Sequence, residues 1–269
     1  MTTLRQHESR STLAPVTERR EIAPGLVVLR FLQPHIASTV LPGQFVNVLP
    51  KVGFTDPLLR RPFSVYWIEG DECEIIIQDH GRGTSILAST QVGEHLDVLG
   101  PLGSPWRYTT NDFDTAVLVV GGVGVAAMPL LTKHFLKNEI PFSTYYGARS
   151  ETLFADEYLA KVRYATDDGS KGYHGTNISM LRDELEKGSH PRIKLFACGP
   201  TPMMKAAIAL ADEFGVPCEV SLETEMACGV GICQGCPVET SVTENVTSGK
   251  KFYLVCTQGP SFMKEQIVI

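Results

Sequence analysis

The chain contains no uninterrupted apolar run approaching the roughly 20 residues that a membrane-spanning helix requires. It also lacks a basic stripe. Lysine and arginine number 24 against 30 aspartate and glutamate, a net charge of −6, so the footprint of a nucleic-acid-binding protein is missing. Internal repeats and low-complexity segments are absent. Seven cysteines form an odd set with no secretory leader at Met1, which argues against a disulfide framework and for a reducing compartment, the cytoplasm. Nothing in the pattern marks a carboxylate pair or a histidine pair as an acid–base catalyst. The first residues are polar, with Arg5, Ser9, Arg10 and Ser11, but Glu8 interrupts any transit-peptide pattern. Residues 1–15 therefore read as a disordered tail.

What is there is concentrated near the C-terminus. Cys228, Cys233, Cys236 and Cys256 follow C-x4-C-x2-C with one further cysteine, the plant-type spacing for a [2Fe–2S] cluster. Two irons bridged by two sulfides need four thiolates, and one tight loop can supply three of them. That loop holds Gly229, Gly231 and Gly235, so positive φ is expected to let it wrap closely. A structural zinc site is the competing assignment. It would normally bring two CxxC-like pairs or a histidine, and this segment has neither.

The remaining 43% hydrophobic, 20% charged chain divides by pattern. Residues 16–110 carry short runs rich in β-branched and aromatic residues at 25–31, 44–48, 63–68 and 74–78, bounded by Gly, Pro or Asp. Such runs predict an antiparallel β-barrel, with a short helix over 84–89 capped by Thr84. Residues 111–222 open with the continuous apolar run 115–120, then alternate helix and strand, including strands at 143–146 and 193–197 and a helix over 202–214. This predicts an α/β nucleotide-binding domain with a parallel sheet. Residues 223–269 form a small cysteine-bearing unit with a hairpin between Pro237 and Val255. The fold class is thus multi-domain.

Four further segments have two readings each. Gly121-Gly122-Val123-Gly124-Val125-Ala126-Ala127 fits G-x-G-x-x-A directly after a strand, either a pyrophosphate-binding turn leading into a helix N-terminus or a plain tight turn. The next strand ends in Gly147-Ala148-Arg149 with no ribose-binding acid, which leaves NAD against NADP open. Cys198-Gly199-Pro200 ends another strand, with Cys198 either facing a cofactor or serving as a small buried hydrophobe. In the barrel, Arg60-Arg61-Pro62-Phe63-Ser64 either grips a phosphate or is a surface charge pair, and His80-Gly81-Arg82-Gly83-Thr84 has the composition of an anion cradle.

The order of R-P-F-S, G-G-V-G, C-G-P and the four cysteines resembles the electron-transfer subunits of NAD-dependent dihydroorotate dehydrogenase, a branch of the ferredoxin reductase-like flavoproteins. The resemblance spans residues 16–262. It implies FAD held by Arg61, Pro62, Phe63, Ser64, Ile76, Ile77, Gln78, Gly83 and Thr84. It implies NAD at Gly121, Gly122 and Gly124, with Cys198, Gly199 and Pro200 near the nicotinamide. It further implies a [2Fe–2S] cluster on Cys228, Cys233, Cys236 and Cys256. The implied partner is an FMN-containing catalytic subunit in a heterotetramer that serves pyrimidine biosynthesis. Related subunits of hydrogenase and sulfide-oxidising complexes share the architecture. A cysteine rather than a carboxylate at position 228 favours the dihydroorotate branch. A free-standing NADH reductase and a zinc-containing nucleotide-binding module are the readings outside it.

Overall fold

The computed structural model describes residues 9–53, 55–109, 112–188, 192–241 and 251–269. Seven antiparallel strands make the first unit: β1 (Arg10–Ala23), β2 (Leu26–Leu32), β3 (Phe45–Leu49), β4 (Arg61–Ser64), β5 (Trp67–Glu69), β6 (Glu72–Gln78) and β7 (His95–Leu102). Their order is β4-β3-β7-β1-β2-β6-β5. The two edge strands are consecutive in the chain, joined at Val65-Tyr66, so the sheet closes on itself as the predicted barrel. Helix α1 (Pro34–Thr39) and helix α2 (Arg82–Ala88) connect strands.

Two expectations need correction here. Arg10–Pro15, assigned to a disordered tail, instead pair with β7 from Arg10↔Gly100 to Pro15↔His95, and residues 16–23 then pair with β2. Pro15 sits where β1 exchanges partners. The polar composition hid the strand because its stabilisation comes from ladder hydrogen bonds and from Ala14 and Val16 facing the core. Residues 1–8 of the expected tail lie outside the described residues. The second correction concerns Thr84, which lies inside α2 rather than at its N-cap. Gly81 holds the cap position, and the Thr84 hydroxyl accepts from the Gly81 amide at 3.0 Å.

The second unit contains β8 (Thr115–Gly121), α3 (Pro129–Lys137), β9 (Phe142–Ala148), β10 (Val162–Thr166), β11 (Tyr173–His174), α4 (Asn177–Leu185), β12 (Ile193–Cys198), α5 (Thr201–Glu213) and β13 (Cys218–Ser221). Its sheet runs β11-β10-β9-β8-β12-β13, all parallel, and its central strands β8 and β12 are buried along almost their whole length, as strands covered on both faces are. The chain winds outward from β8 through β11, then crosses to β12 and β13. The strand order therefore reverses between β8 and β12, and the crevice above their carboxyl ends is where such sheets bind ligands.

The C-terminal unit adds β14 (Pro237–Thr240), β15 (Phe252–Leu254), β16 (Ser261–Met263) and β17 (Ile267–Val268). The predicted hairpin is present, with Pro237 opposite Leu254. This unit is woven into the others. Strand β16 pairs antiparallel with β13 and extends the parallel sheet, and the Ser104 amide donates to the Gly259 carbonyl at 2.6 Å.

Barrel and α/β unit are locked by charge and ring contacts. Glu74 of β6 is buried and binds Arg20 at 2.7 Å and Arg30 at 2.6 Å, while Arg20 also reaches Glu157 of the α/β unit at 2.8 Å. Beside them Trp67 stacks on Tyr158 with ring centres 4.3 Å apart. A carboxylate this buried is tolerable because two guanidiniums pair with it.

Candidate functional site

Strand β6 shows how the site is built from a period of two. Ile75 and Ile77 point into the barrel core, so Glu74, Ile76 and Gln78 face outward toward the α/β unit. Ile76 and Gln78 line a cavity of about 550 Å³ between barrel and α/β unit. Ile77, grouped with them in sequence, has its side chain on the opposite face and packs with Val27 and Leu29 instead. Arg61, Pro62, Phe63 and Ser64 of β4 and Gly83 and Thr84 of α2 line the same cavity.

The two adjacent arginines separate cleanly. Arg60 pairs with Asp97 at 2.9 Å and donates to the Asn47 carbonyl at 3.2 Å, so it is a structural brace. Arg61 meets main-chain carbonyls of Leu59 and Arg60, and among the described residues it has no carboxylate partner. Its guanidinium lies against Gly83, where an added Cβ would come within 2.9 Å. A free guanidinium packed on a glycine loop suits a phosphate. Thr84 spends its hydroxyl inside the loop, accepting from the His80 and Gly81 amides.

A second cavity, about 1010 Å³, opens above the switch point. Gly121, Gly122, Gly124, Gly199 and Pro200 line it, which joins the glycine turn after β8 to the end of β12. Gly124 is dictated by close approach, since a Cβ there would sit 2.4 Å from the Cys198 carbonyl oxygen. The turn differs from the expected glycine-to-helix junction. Residues 122–127 form a 3₁₀ segment, and α3 begins only at Pro129. The amides of the 3₁₀ turn therefore stand where a helix N-terminus was expected. Cys198 lines the first cavity, not the second. Burial pushes its thiol well up, so it acts there as a small neutral wall.

Several lining residues carried no sequence signal. Asn177 is buried and donates to the Val120 carbonyl at 2.8 Å and the Tyr145 carbonyl at 3.2 Å, tying α4 to the floor of the second cavity. Asp167 follows β10 and lines that cavity with Arg149, one strand further out than a ribose-binding acid was sought. Glu223 lines both cavities, as do Gln78, Val123 and Gly124. Burial raises the Glu223 carboxyl above its ordinary range, and His80 opposes that shift. Asn177 and Asp167 stand in no motif, so only the tertiary fold reveals them.

From Glu223 the chain runs five residues to Cys228. Cys228 and Cys233 are near enough to influence each other's thiol, as are Cys236 and Cys256, and Cys256 feels the charge of Cys228. The Cys228 sulfur accepts from the Val230 amide at 3.5 Å and the Cys233 amide at 3.4 Å, and the Cys236 sulfur from the Cys256 amide at 3.4 Å. Burial pushes the Cys228 thiol up, but these amides outweigh it and bring it to about 7. Burial and the neighbouring Cys236 push Cys256 up to about 12. Gly229 and Gly231 take the expected positive φ, but the third such residue is Gln234 rather than Gly235. Among the described residues no three His, Cys, Asp or Glu side chains converge as ligands of one ion. Two thiol pairs with amides aimed at sulfur fit a binuclear iron–sulfur cluster.

Residues 223–268 match the model of the iron–sulfur cluster binding domain of dihydroorotate dehydrogenase B. The dihydroorotate dehydrogenase B (NAD(+)) electron transfer subunit of Enterococcus faecalis is 32% identical over 97% of this chain and 100% of its own length. The chain belongs to this family of electron transfer subunits. The Geobacillus kaustophilus subunit of the same name is 39% identical over 85% of this chain and 87% of its own. Among solved structures, one described as an NADH-dependent reduced ferredoxin–NADP oxidoreductase superposes with a TM-score of 0.82 at 27% identity, covering 96% of this chain and 91% of that one. Family membership joins the expected barrel, the α/β sheet and the cluster unit in one known architecture. Among the described residues no helix is long and apolar enough to cross a membrane.

Proposed function

We propose that this chain is the electron-transfer subunit of an NAD-dependent dihydroorotate dehydrogenase, working in the cytoplasm beside an FMN-containing catalytic subunit in pyrimidine biosynthesis. When bound, a [2Fe–2S] cluster carries single electrons, NAD takes a hydride, and FAD converts between the two. The chain's own task is to hold the three groups in a fixed order.

The observation that carries the reading is contiguity. Gln78, Val123, Gly124 and Glu223 line the flavin-sized cavity and the dinucleotide cavity at once. Phe45 lines the first cavity and shares one packed core with Cys236 and Cys256. The sites therefore follow in a line: cysteines, barrel cavity, switch-point crevice. Arg61 would hold a phosphate of the flavin nucleotide and Ser64 would offer a hydroxyl to its ring. Gly83 lets the arginine lie flat, and Thr84 keeps the loop shut. Gly121, Gly122, Gly124, Gly199 and Pro200 give the dinucleotide close access to backbone amides. Asp167 places negative charge where a 2′-phosphate would add more, which favours NAD. Cys228, Cys233, Cys236 and Cys256 hold the cluster. Ile232, 82% exposed, and exposed Cys233 form the docking edge for the electron-donating partner.

An anaerobic absorption spectrum before and after NADH, with iron and zinc analysis, tests the proposal. Flavin bands that bleach with NADH and about two irons per chain are expected. A colourless zinc protein indifferent to NADH would sink it.

A further inference from the structure

Strand β3 links two of the sites through a single face. Val46 and Val48 point into the barrel core, so Phe45 and Asn47 point outward beneath the C-terminal unit. Phe45 walls the flavin-sized cavity. Asn47 sits two residues on, with no solvent exposure at all. Its neighbours across the sheet are Pro62 and Leu99, which offer no polar side chain.

The Asn47 amide reaches the Ala227 carbonyl at 3.5 Å. A carbonyl only accepts, so the end facing it is the NH₂ group. The other end, Oδ1, has no partner among the described residues. Gly229 presses against the same side chain, and an added Cβ at that position would come within 2.6 Å of Asn47 Nδ2. Leaving half an amide unsatisfied in a dry environment is costly. A leucine would fill this space without that cost.

What the amide touches is the start of the cysteine loop. Ala227 and Gly229 flank Cys228, whose sulfur accepts from the Val230 and Cys233 amides. From this arrangement we infer that Asn47 is a positioning residue for the cluster. It donates to Ala227 and fixes the Cys228–Cys233 arm relative to the barrel, which keeps those two amides aimed at sulfur. One strand face thus places both a wall of the flavin cavity and one arm of the cluster. Hydrogen bonds to sulfur stabilise the more negative, reduced cluster, so loosening the arm lowers its reduction potential.

The inference rests on the four cysteines holding a [2Fe–2S] cluster. The test uses the full-length cofactor-loaded protein and compares wild type with Asn47→Leu and Asn47→Ala. The leucine fills the space without a donor, whereas the alanine removes the amide and leaves room in its place. Three quantities are read: the cluster potential by EPR-monitored titration, the EPR line shape, and iron release to a chelator. Flavin content reports whether the barrel has folded. Both variants are expected to hold FAD at the wild-type level, to show a lowered potential and an altered line shape, and to lose iron on the order of tenfold faster. Should the leucine variant fail to fold, the alanine variant decides alone. Wild-type potential, line shape and iron release in Asn47→Ala would overturn the inference. Absence of an iron cluster from the wild-type protein would instead overturn the cluster reading, and this inference with it.

Discussion

Two glycine-rich loops, 121–127 and 228–236, look alike in composition and solve opposite problems. The first is packed against the chain on one side and borders the two cavities on the other. Gly124 lies against the Cys198 backbone, Gly121 against Met203, and Val125, Ala126 and Ala127 are buried. Gly121 and Gly124 serve packing, because the chain itself fills the space a side chain would need, whereas Gly122 has open space and a positive φ. The second is half open to solvent, with Ile232 and Cys233 exposed, and holds its shape through amide-to-sulfur hydrogen bonds and turns of positive φ. Removing atoms from the second loop undoes its ligand chemistry, whereas adding atoms to the first undoes its packing.

The sharpest way to separate the two loops is Cys233→Ser. It removes one ligand and is expected to abolish the cluster, measured as iron content and EPR signal, while flavin and its bleaching by NADH persist. A paired glycine substitution comes next. Gly124→Ala must displace a backbone carbonyl and is expected to cost about 1–3 kcal/mol in denaturant unfolding and to weaken NADH binding. Gly235→Ala meets only the Cys233 sulfur, at 3.4 Å, and should stay within about 0.5 kcal/mol. Equal costs at both positions would erase the distinction.

Arg61→Ala probes the cavity between the loops. Loss of one charge-assisted hydrogen bond of about 1.5–3 kcal/mol should weaken FAD binding roughly ten- to a hundredfold in a titration of the apoprotein. Smallest is the effect at Glu223, which the two cavities share. Its folded-state pKa is raised, so the folded protein binds more protons than the unfolded chain between the two values, and stability falls as pH rises through that window. Glu223→Gln should therefore raise the apoprotein Tm by about 2–4 °C at pH 8, equivalent to about 1 kcal/mol. At pH 4, where the carboxyl is mostly protonated in both states, the gain should shrink toward zero. A gain at both pH values would show that the buried charge is not the cause.

Much of this site was legible from residues alone. The cysteine spacing, R-P-F-S and G-G-V-G each occupy contiguous positions, and contiguous chemistry survives in a sequence. The strand at 115–120 was readable because an unbroken apolar run has few other uses. Strand β1 was not, since its polar first half is held by pairing with residues about 90 positions away. Ile77 was assigned to the flavin cavity on its neighbours, yet the pleat turns its side chain to the other face.

The sequence alone determined which cofactors this protein is equipped to hold, because ligand chemistry depends on residue types at short spacings. It also determined the kind of element that the strongly patterned segments form, because hydrophobic period follows backbone geometry. Only the tertiary structure decided that Gln78 and Glu223 belong to two cavities at once, and that Arg61 rather than Arg60 keeps its charge free. The same holds for Asn47, buried beneath the cysteine loop about 180 residues away. These are long-range juxtapositions, set by how three sheets pack together, and no local pattern encodes them.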